Sequence, residues 1–175
     1  MTFNFISCWK TKFILPNQIY NNTSIPAIWK PILLGDGSFT RHCQILTYKT
    51  ISIDHIYTYV YSKDKEQAIS KPFINRKVWI GTSISRKLIL ASSWWTIEEY
   101  ETIYKYPSQA IGAFFIQSEL DIYRDIHEIF LGYSFELEQL FASKGPFWGR
   151  YYTLFHKGKP LSIIYEIFSP SLENF

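Results

Sequence analysis

The sequence predicts an α+β domain in which one antiparallel sheet of about six strands carries several short helices against it. Three observations lead there. Segments rich in Ile, Tyr, Thr and Trp outnumber segments with helical character. The connections between them are short, as antiparallel pairing allows. Residues 148–170 read as a hairpin: an alternating run opens at Trp148-Gly149-Arg150, turns at His156-Lys157-Gly158-Lys159-Pro160, and returns through Leu161 to Pro170.

Taken in order, residues 1–27 hold Pro16, Pro26 and Asn-rich turns, so an irregular lead-in with one short strand is expected. Residues 29–47 carry two short apolar stretches around Gly35-Asp36-Gly37-Ser38, where Asp36 or Ser38 can cap a short helix running to about Leu46. Residues 50–61 favour a strand, and Lys63-Asp64-Lys65-Glu66 a solvated turn or short helix start. Two further strands, 74–82 and 87–94, are joined as a hairpin around 83–86. Thr96-Ile97-Glu98-Glu99 is a capping-box pattern, which starts a helix that ends before Pro107. Residues 108–116 read as a short helix or turn, 120–133 as a long strand, and 135–142 as one or two helical turns. The terminal hairpin closes the sheet. No repeat or linker divides the chain, so residues 1–175 are read as a single domain.

Composition excludes several functions. A hydrophobic fraction of 47% with 19% charged residues is globular rather than disordered, and 19% aromatic residues point to a ring-lined core or pocket. The net charge of +3 suits a small anionic ligand, and no Lys/Arg block resembles a nucleic-acid footprint. No apolar run approaches the roughly 18–20 residues that span a bilayer. Cys8 and Cys43 form neither a disulfide framework nor a C-x-x-C motif, so a reducing compartment is the simpler reading. His42, His55, His127 and His156 have no metal-ligand spacing and read as structural or exposed; no metal and no cofactor is expected. Asp36-Gly37 is a turn signal whose acid would repel phosphate. Ile outnumbers Val 25 to 2 and Lys outnumbers Arg 13 to 5, a skew of A+T-rich coding such as organelle genomes and some bacteria show. A protein made inside a plastid also needs no targeting segment.

One residue stands out chemically. Glu166 lies among apolar and aromatic neighbours on the return strand of the hairpin. A carboxylate there must find a partner, stay protonated or face a polar cavity.

The same segment resembles the C-terminal block of the chorismate pyruvate-lyases, W-G-R, then G-K-P-L, then E-L-F-L-P: here Trp148-Gly149-Arg150, Gly158-Lys159-Pro160-Leu161 and Glu166-Ile167-Phe168-Ser169-Pro170. Upstream, Leu33-Leu34 with Ser38-Phe39-Thr40-Arg41 is similar to the family's L-L…S-M-T-[KR] stretch. Pro107 to Phe115, with Ile111-Gly112, resembles its P-L-G-x-x-L/F turn, and Arg76-Lys77-Val78-Trp79-Ile80 its R-E-I-L-L strand. The blocks keep their order across residues 29–170. The match looks closer to the divergent branch of cyanobacteria and algal plastids than to the proteobacterial enzyme.

The resemblance implies the chorismate lyase-like fold and a cofactor-free lyase converting chorismate to 4-hydroxybenzoate and pyruvate, a step toward a quinone ring precursor. It would work in the plastid stroma if algal, and otherwise in the cytoplasm. It implies that Arg76 and the backbone N–H of Ile111 hold the ring carboxylate and that Glu166 meets the ring hydroxyl. Phe39 is a pocket-lining or core residue. Gly112 permits close approach at the turn, and Arg150 is a second cation or simply a strand-end arginine. The chain departs from the family at Ala91-Ser92-Ser93-Trp94-Trp95, where a G-R-T segment would place an arginine at the pocket mouth, and in a longer insertion over 130–145. A non-catalytic binder of a phenolic acid is the alternative. Ligand-sensing domains of some bacterial transcription regulators share the fold, but they carry a DNA-binding winged helix for which there is no room before Trp29.

Overall fold

A computed structural model describes residues 4–12, 24–35, 37, 39–61, 73–83, 86–103, 111, 114–115 and 118–174. Its strands are β1 (Ile6–Lys12), β2 (Ser52–Tyr61), β3 (Phe73–Ser83), β4 (Arg86–Thr96), β5 (Ile122–Tyr133), β6 (Phe147–His156) and β7 (Lys159–Phe168). Helices α1 (Lys30–Leu34) and α2 (Phe39–Thr47) precede β2, α3 (Ile97–Ile103) follows β4, α4 (Phe135–Phe141) links β5 to β6, and a 3-10 turn (Pro170–Asn174) follows β7.

Among the described residues the strands form a seven-stranded sheet in the order β1-β5-β6-β7-β4-β3-β2, every pairing antiparallel. The α+β class stands, and the expected count of about six becomes seven. The strand beyond the six is β1, at the edge, the short strand expected somewhere in residues 1–27. Most of its side chains are exposed, so it lacks the alternation that marks a half-buried strand. Pairing with β5 and an edge-on contact of Trp9 with Trp148 at 5.5 Å attach it to the sheet.

Local chemistry sets the other elements. Lys157 and Gly158 both take positive φ, 50° and 74°, which makes the two-residue β6–β7 turn and matches the twist of the strands. Thr96 and Glu99 form the expected box at the start of α3: Glu99 N–H donates to Thr96 Oγ1 at 3.2 Å, and Thr96 Oγ1 donates to Glu99 Oε2 at 2.7 Å. Ser134 caps α4 by accepting from Leu137 N–H, and Ala142 closes that helix in the left-handed region. The residues expected to cap α2, Asp36 and Ser38, and the turn at 63–66 lie outside the described residues.

Alternation along the strands gives the sheet two different faces. One buries Trp79, Leu90, Phe130, Phe147 and Ile167 under Leu137 and Phe141 of α4. The other carries the larger core, with Ile74, Ile89, Ile129 and Phe168 packed against Trp29, Leu33, Phe39 and Cys43 of the α1–α2 region. That second face encloses the candidate site.

Candidate functional site

On the α1–α2 side of the sheet lies a cavity of about 540 Å³, within the range of small-molecule sites. Strand register builds its floor. Arg76 on β3 pairs with Ser93 on β4, Ser93 with Ile164 on β7, and Ala91 with Glu166 on β7. Arg76 and Glu166 therefore share a face, diagonally placed across one intervening strand. Two strand spacings and a two-residue offset put their Cα positions about 12 Å apart. The intervening strand shows only small side chains, Ala91 and Ser93, toward the cavity, and this leaves the space open.

Phe39 and Ile111 line the same cavity as Arg76 and Glu166. Gly112 lies outside the described residues. Arg150 corrects the reading of a strand-end arginine: it is 1% exposed, stands opposite Glu166 on the cavity face of the sheet and reaches up to α1. Its Nε donates to Glu166 Oε2 at 2.6 Å, and its Nη1 donates to the carbonyls of Ile32 at 2.9 Å and Leu33 at 3.1 Å. It thus satisfies carbonyls that the short helix α1 leaves open at its C-terminal end. Burial, the largest single influence, pulls the guanidinium down, but the charges of and hydrogen bonds to Glu166 and Tyr152 together hold Arg150 above its ordinary value.

The hydroxyl of Tyr152 donates to the other carboxylate oxygen, Glu166 Oε1, at 3.0 Å. Glu166 is thus fixed in orientation, both oxygens acting as acceptors. Burial first, and the Glu166 charge second, push the Tyr152 phenol well above its usual range. The same two causes raise the Cys43 thiol of α2 to about 12, so it stays protonated.

Sequence reasoning missed several cavity residues. Arg124 of β5 donates from Nη1 to the Gly35 carbonyl at 2.5 Å and from Nη2 to the Gly37 carbonyl at 3.5 Å, with its guanidinium 4.6 Å from the Tyr152 ring centroid. Arg41 and the half-buried His42 of α2 also line the cavity. A signal was present: of only five arginines in a Lys-rich chain, three line this cavity and a fourth grips its carboxylate. Among the described residues no cluster of His, Cys, Asp and Glu could hold a metal ion.

The fold and this cavity define a chorismate lyase-like domain. Solved structures of that fold include the effector domain of PhnF from Mycobacterium smegmatis, with a TM-score of 0.59 at 10% identity over 79% of this chain and 92% of that one. A gene product of Staphylococcus aureus, SA0254, aligns with a TM-score of 0.58 at 11% identity over 78% of this chain and 90% of the other. At that distance the likeness concerns fold alone. The chain belongs to the Rv2949c-like chorismate pyruvate-lyase family, whose model matches residues 33–175. Relatives named uncharacterized protein ycf21 are 76% identical in Porphyra purpurea, over 100% of this chain and 99% of the relative, and 34% identical in Cyanophora paradoxa, over 87% and 82%.

Proposed function

We propose that this protein is a cofactor-free lyase that converts chorismate to 4-hydroxybenzoate and pyruvate in the plastid stroma, supplying a quinone ring precursor. The observation that carries the reading is the placement of Arg76 and Glu166 on one face of one cavity, with only Ala91 and Ser93 between them. A guanidinium forks two donors onto a carboxylate. An acceptor carboxylate across the ring meets the hydroxyl para to it. Family membership and the algal relatives support the reaction class and the plastid setting. No helix among the described residues is long and apolar enough to cross a membrane.

In the reaction the C3–O bond of chorismate breaks, the C4 hydrogen leaves the ring, and the methylene of the enolpyruvyl group gains a hydrogen to become the methyl of pyruvate. Aromatisation of the ring drives the step, so the protein's main task is positioning. Arg76 and the Ile111 N–H hold the ring carboxylate, Phe39 covers the ring, and Glu166 accepts from the C4 hydroxyl. Arg150 and Tyr152 keep Glu166 in place from the neighbouring strand.

The test is direct. Purified protein given chorismate should release pyruvate and 4-hydroxybenzoate in equal amounts, and Arg76→Ala or Glu166→Ala should each lower turnover at least tenfold. A wild-type protein inert toward chorismate at every pH tried ends this reading. The fold shared with effector domains of transcriptional regulators favours one other reading, a non-catalytic binder of a phenolic acid. Tight binding of 4-hydroxybenzoate without turnover would select it.

A further inference from the structure

We infer that the hydroxyl of Ser93 is a further substrate-binding group of the cavity, donating a hydrogen bond to the ring carboxylate of a cyclic carboxylic acid. The inference rests on the reading above and deepens it by one residue. Ser93 lines the cavity and is 2% exposed. It stands directly opposite Arg76 in the β3–β4 ladder and opposite Ile164 of β7. Ala91, two residues earlier on the same face of β4, stands opposite Glu166. Ser93 therefore marks the Arg76 end of the diagonal along which the ring lies, and Ala91 the Glu166 end.

A buried hydroxyl is costly without a good partner. The bond that Ser93 Oγ donates within the protein, to the Arg76 carbonyl, is 3.5 Å long. A well-made O–H···O bond is about 2.7–2.8 Å. The carbonyl has no need of it either: β3 runs between β2 and β4, and the two ladders serve its backbone. Around Ser93 the floor is apolar, with Val78, Ala91 and Ile164. A methyl group fills that floor well enough at Ala91, so neither packing nor pairing accounts for an oxygen two residues on. A carboxylate does. An ionised acceptor gives the hydroxyl a shorter and stronger bond than a carbonyl it barely reaches. Arg76, one strand away, is the side chain that draws the carboxylate to this end of the cavity. The strand that presents the hydroxyl is also fixed from its other face, where Asn75 Nδ2 donates to the Ser93 carbonyl at 3.3 Å.

The experiment compares a ligand that has the carboxylate with one that lacks it. 4-Hydroxybenzoate and 4-methylphenol are titrated into wild type, Ser93→Ala and Ser93→Cys by ligand-observed NMR. A thermal melt of each protein and an assay of pyruvate release from chorismate run beside it. Ser93→Ala should weaken 4-hydroxybenzoate about tenfold, the size of one hydrogen bond to a charged acceptor, and leave 4-methylphenol within twofold. Ser93→Cys, close in size but a weaker donor, should fall between. In the assay, KM for chorismate should rise by a similar factor while kcat stays within twofold, because the ring carboxylate is held alike before and during the reaction. Equal weakening of both ligands would make Ser93 part of the floor's shape, and unchanged affinity for both would leave its hydroxyl to the Arg76 carbonyl; either overturns the inference. Wild type that binds 4-hydroxybenzoate without turning over chorismate ends the lyase reading, while the affinity ratio still decides the role of Ser93. Wild type that binds neither ligand overturns both.

Discussion

Arg150 and Glu166 stand opposite each other in the β6–β7 ladder and meet side chain to side chain at 2.6 Å, with 1% and 8% of their side chains exposed. Such a pair is held in place more than it stabilises, because desolvation of both charges offsets much of their attraction. Breaking it from one side is different. Arg150→Met leaves the carboxylate buried without its partner and also releases the carbonyls at the end of α1. A loss of about 3–5 kcal/mol in urea unfolding is expected. The double variant Arg150→Met/Glu166→Gln should cost less than the sum of the two single changes.

Tyr152→Phe removes one donor to Glu166 and almost no volume. A hydrogen bond to a charged acceptor contributes about 1.5–3 kcal/mol, so the free carboxylate oxygen should be more loosely oriented. Turnover of chorismate should drop about tenfold with little change in KM. Unchanged kinetics would show that Arg150 alone positions Glu166.

Two thiols of opposite character offer a test of burial. Cys8 is exposed, and Cys43 is wholly buried with its thiol raised to about 12. An alkylating reagent at pH 8 should modify one thiol in the native protein and two after denaturation. The folded value of Cys43 lies above the ordinary 9.0, so the unfolded chain gives up that proton first. The associated stability is complete below about pH 9 and is lost as pH rises toward 12. Tyr152, raised above 10.0, acts in the same direction. The urea midpoint should be level from pH 7 to 9 and fall beyond it, less steeply in Cys43→Ala.

Gly149 has no room for a side chain. A Cβ there would come within 2.1 Å of Phe130 Cζ and 2.8 Å of the Glu166 carbonyl oxygen. Gly149→Ala must displace both a ring and a backbone that carries the site, and a loss of about 1–3 kcal/mol is expected. Because Phe130 packs on the α4 face, the thermal shift should be accompanied by weaker 4-hydroxybenzoate binding if the strand moves.

Much of this molecule was legible in its residues. The capping box at Thr96, the turn at Lys157-Gly158 and the long β5 segment carry strong local signals, and each fell within a few residues of its expected bounds. Edge strand β1 was legible only as an unplaced short strand in the lead-in, because its exposed side chains give little alternation and pairing with β5 defines it. Arg76 and Glu166 were legible through motif order. Arg124 was not, since only the strand order brings it, four strand spacings from Arg76, to the same cavity. Arg150 was legible as a residue but not in its role, because burial against α1 is a tertiary fact that no spacing along β6 expresses.

Every strand beneath the cavity is also the ceiling of something else. β4 turns Ala91 and Ser93 upward to make space while Leu90, with Trp79 opposite it on β3, faces α4 below. Substitutions two positions apart can therefore rewrite what is held without disturbing what holds it. A scaffold shared at 10% identity with the PhnF effector domain can survive such drift because its foundation and its contents are written on alternate letters of the same strands.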